Sequence, residues 1–134
     1  MKLKLQSNNN FHCPQGWWSG VCIAIEEDPK QRVNRPCEKQ VRLRFRVMTD
    51  EGEKLVGKTF CAELGYGSEL YSFLESWLDG EFSELLDEDG EVDLDKLIEK
   101  GADLYVTHGP KIAGHDHPFV NISGIYPEGT MTQA

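Results

Sequence analysis

Three arginines stand at alternate positions in the chain: Arg42, Arg44 and Arg46 are interleaved with Val41, Leu43, Phe45 and Val47. A period of two sends successive side chains to opposite faces of a strand, so the apolar set takes one face and the guanidiniums the other. A guanidinium is a planar fork of donors that fits phosphate and carboxylate oxygens and stacks on flat rings. More cations lie on either side. Lys30, Arg32, Arg35 and Lys39 fall in the stretch 26–39, which carries two prolines and no period, and Lys111 falls in the stretch 108–118. Rings complete the chemistry. Trp18 has the opposite parity from Val21, Ile23 and Ile25, and Tyr105 the opposite parity from Leu104 and Val106, so both are expected to face outward. Phe60 and Phe119 are weaker candidates. Each feature also has a plain explanation: charges on a wet strand face keep edges from aggregating, and aromatics beside strands are usually core.

Other constellations carry less. Asp87-Glu88-Asp89-Gly90-Glu91-Val92-Asp93 resembles a calcium loop, but aligning Gly90 with its sixth position puts Leu85 first and Lys96 twelfth, where carboxylates are required. His108, His115, Asp116 and His117 are metal-ligand types at a spacing that matches no zinc motif. Cys13, Cys22, Cys37 and Cys61 form no Cys-x-x-Cys pair and are expected to be reduced thiols. There is no phosphate-binding Gly-rich loop and no nucleophile elbow. The expectation is a protein that is not an enzyme and holds neither metal nor cofactor.

These residues need elements to position them. Residues 1–16 are polar and read as an arm, 17–127 as one domain, and 128–134 as a short tail. Trp17 to Ile25 reads as a first strand, with small Gly20, Cys22 and Ala24 on its second face. Val41–Met48 is the second strand, and Thr49-Asp50-Glu51-Gly52 turns the chain into a third over 53–64. The face of that third strand is ambiguous, because Lys58 interrupts the even series and Gly57 the odd one. The period then becomes helical. Ser68 is a candidate N-cap, and Leu70, Tyr71, Phe73, Leu74, Trp77 and Leu78 recur at helical spacing as far as Gly80. Asp93 to Gly101 reads as a second short helix, and 102–107 and 119–126 as the last two strands.

The fold class that follows is mainly β: three strands, a helix, two strands. This is the order of the five-stranded Greek-key barrel called the OB-fold, with its helix between strands three and four. In such barrels the ligand face is the outside of strands two and three, flanked by the loops joining strands one to two and four to five. On that plan Lys30, Arg32, Arg35, Lys39, Arg42, Arg44, Arg46 and Lys111 converge, with Trp18 and Tyr105 as stacking rings.

From Gly16-Trp17-Trp18-Ser19-Gly20 through the Ser68–Leu78 helix to Val120-Asn121-Ile122-Ser123-Gly124-Ile125-Tyr126-Pro127, the chain resembles phage- and prophage-type OB-fold proteins likened to single-stranded-DNA-binding and replication-protein-A-type domains. The resemblance implies single-stranded nucleic acid as partner, with a homo-oligomer or a replication or recombination protein as further company. One departure stands out: bacterial single-strand-binding proteins end in an acidic recruiting tail, whereas here the last residues are Glu128-Gly129-Thr130-Met131-Thr132-Gln133-Ala134.

Charge along the chain agrees with this plan. The 134 residues carry 23 acids and 14 bases, a net of −9. Half the bases lie between 30 and 46, and about half the acids between 75 and 103. Such a bipolar chain can offer a basic face to a polyanion while remaining negative overall. No apolar run approaches the ~20 residues of a membrane span, and no apolar stretch follows the basic start, so a cytoplasmic protein without membrane contact is expected. Two other classes stay open: a protein-interaction module using the acidic helical face or a strand edge, and, third, a metal-dependent hydrolase using the histidine loop.

Overall fold

A computed structural model describes residues 12–27, 39–65, 67–79, 81–111 and 118–130. Among these residues there are five strands: β1 (Gly16–Glu27), β2 (Gln40–Thr49), β3 (Gly52–Cys61), β4 (Gly101–Lys111) and β5 (Pro118–Pro127). All pair antiparallel in one sheet of order β3-β2-β1-β4-β5. Among the described residues there is one α-helix, α1 (Glu69–Leu78), and it lies between β3 and β4 in the chain, where the helical periodicity falls. Ser68 caps it, its hydroxyl accepting from the Tyr71 N–H at 3.2 Å. Asp79, in the left-handed region at φ 44°, ends it. The expected second helix is instead a 3₁₀ turn, Leu94–Leu97, preceded by another at Phe82–Leu85. Each turn buries one residue fully, Leu85 and Leu97, and packs a second, Phe82 and Leu94, partly against the core.

The core lies between the concave face of the sheet and α1. Val41, Leu43, Phe45 and Val47 are all buried, as alternation predicts, and Phe45 meets Trp77 of α1 edge-on at 5.4 Å between ring centroids. On β3 the register decides what the sequence left ambiguous. Lys54, Val56, Lys58 and Phe60 pair with Val47, Phe45, Leu43 and Val41, so the even series faces inward, two lysines included. The segment before β1 is held as well. Cys13 is fully buried, and the Trp18 indole donates to Pro14 O at 2.7 Å.

On β1 the expected parity fails. Cys22 pairs with Phe45 and Ala24 with Arg44, leaving Ile23 as an extra residue, a β-bulge. Before the bulge the even residues Trp18, Gly20 and Cys22 point inward; after it Ile25 does. Val21 and Ile23 therefore do not share a face with Ile25. Gly20 lies where β1 packs closely on its neighbour, since a Cβ there would sit 2.6 Å from Val47 Cγ1 and 3.0 Å from Arg46 O.

The sheet is not closed into a barrel. β3 and β5 approach each other as the two edges, but side chains bridge the seam in place of a backbone ladder. Lys58 Nζ donates to Ile122 O at 2.7 Å and Ser76 Oγ of α1 donates to Ile125 O at 2.5 Å. An inward lysine at this seam satisfies the edge carbonyl that a neighbouring strand's N–H would otherwise take.

The expectation of four free thiols is also revised. Cys13 and Cys22 are free, Cys61 is disulfide-bonded, and Cys37 lies outside the described residues. Among the described residues no helix is long and apolar enough to cross a membrane.

Candidate functional site

The convex face of the sheet carries the residues that the sequence singles out. Antiparallel register sets Arg42 opposite Glu26, Arg44 opposite Ala24 and Arg46 opposite Val21, so the three guanidiniums do share one face. Arg42 Nη1 donates to Thr59 Oγ1 at 2.8 Å. Its guanidinium also fills the space over Gly57, where a Cβ would lie 2.8 Å from Nη2.

The other cations of the row meet carboxylates. Arg44 Nε lies 2.7 Å from Glu26 Oε1, a close ion contact whose N–H is not aimed as a hydrogen bond. Arg46 Nε lies 3.0 Å from Glu53 Oε1, and Lys39 Nζ lies 3.8 Å from Glu27 Oε1. A tally of charge along the chain misses these partners, because Glu26, Glu27 and Glu53 belong to the adjacent strands. Lys30, Arg32 and Arg35 lie outside the described residues. Lys111 is the last residue of β4, and its side chain likewise lies outside them.

The rings are placed differently from expectation. Tyr105 faces outward, but Trp18 packs against the core, and its neighbour Trp17 takes the outer position. Trp17 pairs across the ladder with Tyr105, their ring centroids 5.0 Å apart, and the Tyr126 ring of β5 lies 5.3 Å from Trp17. All three stay substantially exposed, Trp17 at 42% and both tyrosines at 38%. Gly124 lies opposite Tyr105, and a Cβ there would come within 3.2 Å of the Tyr126 ring; its bareness lets that ring lie across the strand. Phe60 is core, 4.9 Å from the Phe73 ring, and the Phe119 side chain lies outside the described residues.

Rings and cations lie at two ends of one strip. Along β1, Trp17 precedes Val21, opposite Arg46, and Ala24, opposite Arg44. At ~3.3 Å per paired residue, with the bulge at Ile23 adding no length to the ladder, these points are ~13 Å and ~20 Å from Trp17. Between them stand Ser19 and its partner Met48, 63% exposed. Trp17, Tyr126 and Met48 are the residues that sequence reasoning missed. The small residues Gly20 and Cys22 were the available sign of the inward face.

Next to the ring trio, and sharing Tyr126 with it, a groove of about 430 Å³ opens at the β3–β5 seam, lined also by Lys58, Glu69, Ser72, Phe73 and Ser123 among others. Burial holds the Lys58 ammonium below the usual lysine range, against a smaller opposing effect of Glu69. Its donors already serve Ile122 O and, at 3.4 Å, Asn121 Oδ1, so the ammonium is engaged in holding β3 to β5. Burial likewise pushes the Cys13 and Cys22 thiols up to about 11, which keeps both unreactive near neutrality. Among the described residues no three His, Cys, Asp or Glu side chains gather as a metal site; His115, Asp116 and His117 lie outside them.

No family model matches this chain, and no curated protein or solved structure matches it significantly. The reading of its site rests on its own geometry.

Proposed function

We propose that the convex face binds single-stranded nucleic acid, on an OB-type sheet left open at one seam. The strand order β3-β2-β1-β4-β5 and the helix between β3 and β4 support the fold assignment. One observation carries the functional reading: three exposed rings, Trp17, Tyr105 and Tyr126, share a strip with Arg42, Arg44 and Arg46. Sequence-tolerant single-strand binding needs those two kinds of group. Each stacked base contributes ~1–3 kcal/mol, and guanidiniums take the phosphates. A strip ~20 Å long accommodates a few nucleotides of extended strand, bases stacking at the ring end and phosphates further along meeting the arginines. The acidic residues of 81–100 belong to the connection between α1 and β4, away from that strip in the chain.

Tryptophan fluorescence titrated with an oligothymidine at low and moderate salt tests this. Quenching is expected, weaker at higher salt because neutralised phosphates release counterions, and abolished in Trp17→Ala. Absence of any change at low salt overturns the reading.

A second reading is favoured by a specific observation: Arg44, Arg46 and Lys39 already face carboxylates. The same strip would then be a protein-docking patch, since Trp, Tyr and Met are enriched at interface centres. Binding to a partner protein that is insensitive to salt, with no response to oligothymidine, would select it.

A further inference from the structure

The strip's cations are answered from its own neighbouring strands. Glu26 stands two residues beyond the position opposite Arg44, and Glu53 two residues short of the position opposite Arg46, so each acid meets its arginine diagonally across a ladder. The contacts are close, 2.7 and 3.0 Å, and both involve Nε. Yet the four side chains keep exposures between 39% and 54%, although the Arg44 Nε atom itself is shielded. Ion pairs this wet are weak and can be exchanged. A carboxylate and a phosphate offer the same thing to a guanidinium, namely two oxygens sharing negative charge in one plane.

We infer that Glu26 and Glu53 are built-in competitors for phosphate, held on Arg44 and Arg46 in the resting protein and displaced when a polyanion docks. The inference rests on the nucleic-acid reading above and adds its regulation. The strip at rest is close to neutral, so a chance polyanion gains little there. A ligand gains the arginines only when the rings hold it long enough, by its bases, for phosphates to replace both carboxylates. Rings thus select for unpaired bases, and the glutamates set the threshold of affinity.

The test uses the full chain, a fluorescently labelled oligothymidine and anisotropy at low salt. The Glu26→Gln/Glu53→Gln variant is compared with Glu84→Gln/Glu88→Gln, a control that removes the same two negative charges from exposed residues of the α1–β4 connection. Two exposed pairs of ordinary strength correspond to tightening by roughly 3- to 30-fold. The expected result is tightening in that range for the first variant, with at most about a twofold change in the control. The variant's advantage should shrink with added salt, because screening weakens the wild-type pairs. Binding by the wild type with equal or weaker binding by the Glu26→Gln/Glu53→Gln variant overturns the competitor role and leaves the nucleic-acid reading standing. No binding by either protein sinks both. All four positions are solvent-exposed, and matching thermal melts establish that the variants are folded.

Discussion

At the scale of single residues, adjacent tryptophans do opposite work. Trp18 packs on the core with its indole N–H bonded to Pro14 O, whereas Trp17 lies outward against Tyr105 and Tyr126. Trp18→Ala should therefore cost about 2–4 kcal/mol in urea denaturation, in line with large-to-small core changes. Trp17→Ala should cost less than about 1 kcal/mol while removing oligonucleotide binding. Equal losses of stability would refute the assignment of faces. The two buried thiols make a second residue-level prediction. Their folded pKa is raised from 9.0 to about 11 by burial. The folded state thus keeps protons that the unfolded state gives up, so this contribution is intact below pH 9 and lost as pH climbs through 11. Two units correspond to on the order of 2–3 kcal/mol per thiol. Urea midpoints should fall between pH 8 and 10.5, and Cys22→Ala should lessen the fall. A flat profile in the parent protein contradicts it.

At the scale of elements, β3 shows how an edge strand is made safe. Its inward series is Lys54, Val56, Lys58, Phe60, and the two lysines break what would otherwise be a continuous apolar edge. Inward charge is a known guard against edge-to-edge pairing. Lys54→Val with Lys58→Val should make the protein associate with rising concentration, seen by light scattering; a strictly monomeric variant would show that the edge is guarded otherwise. The same strand illustrates what the sequence could and could not reveal. β2 was fully legible, because four apolar residues alternate without interruption and its register buries all four. Helix α1 was equally plain from its period and Ser68. On β1 the alternation Val21-Ile23-Ile25 looked as regular as that of β2, but a bulge at Ile23 reverses the faces midway, and bulges leave no mark in a hydropathy pattern. That single extra residue moved the ring assignment from Trp17 to Trp18. Pairings across strands were illegible for a related reason: Glu26 lies 18 residues before Arg44 and Glu53 seven after Arg46, and only the register fixes which carboxylate meets which arginine.

At the scale of the whole molecule, the balance of charge argues for selectivity rather than for strength. With a net of −9, the long-range field repels any polyanion, and the local strip is largely neutralised by its own glutamates. Attraction must then begin at contact, and the rings of Trp17, Tyr105 and Tyr126 are the groups able to provide it. Rings stack only on bases that are themselves unstacked on one face. A duplex presents phosphates in abundance but keeps its bases inside, so it meets the repulsion without the compensating stacking. A basic groove of the common kind would bind both forms through phosphates and lose affinity for both with salt. Here the expected result is different: an unlabelled single strand should displace a labelled oligothymidine at least about tenfold more effectively than a duplex of the same length, near 0.1 M salt. Ten-fold corresponds to ~1.4 kcal/mol, which a single stacked base can supply. Equal competition by duplex would mean that phosphate contacts dominate after all and that the aromatic trio serves another partner.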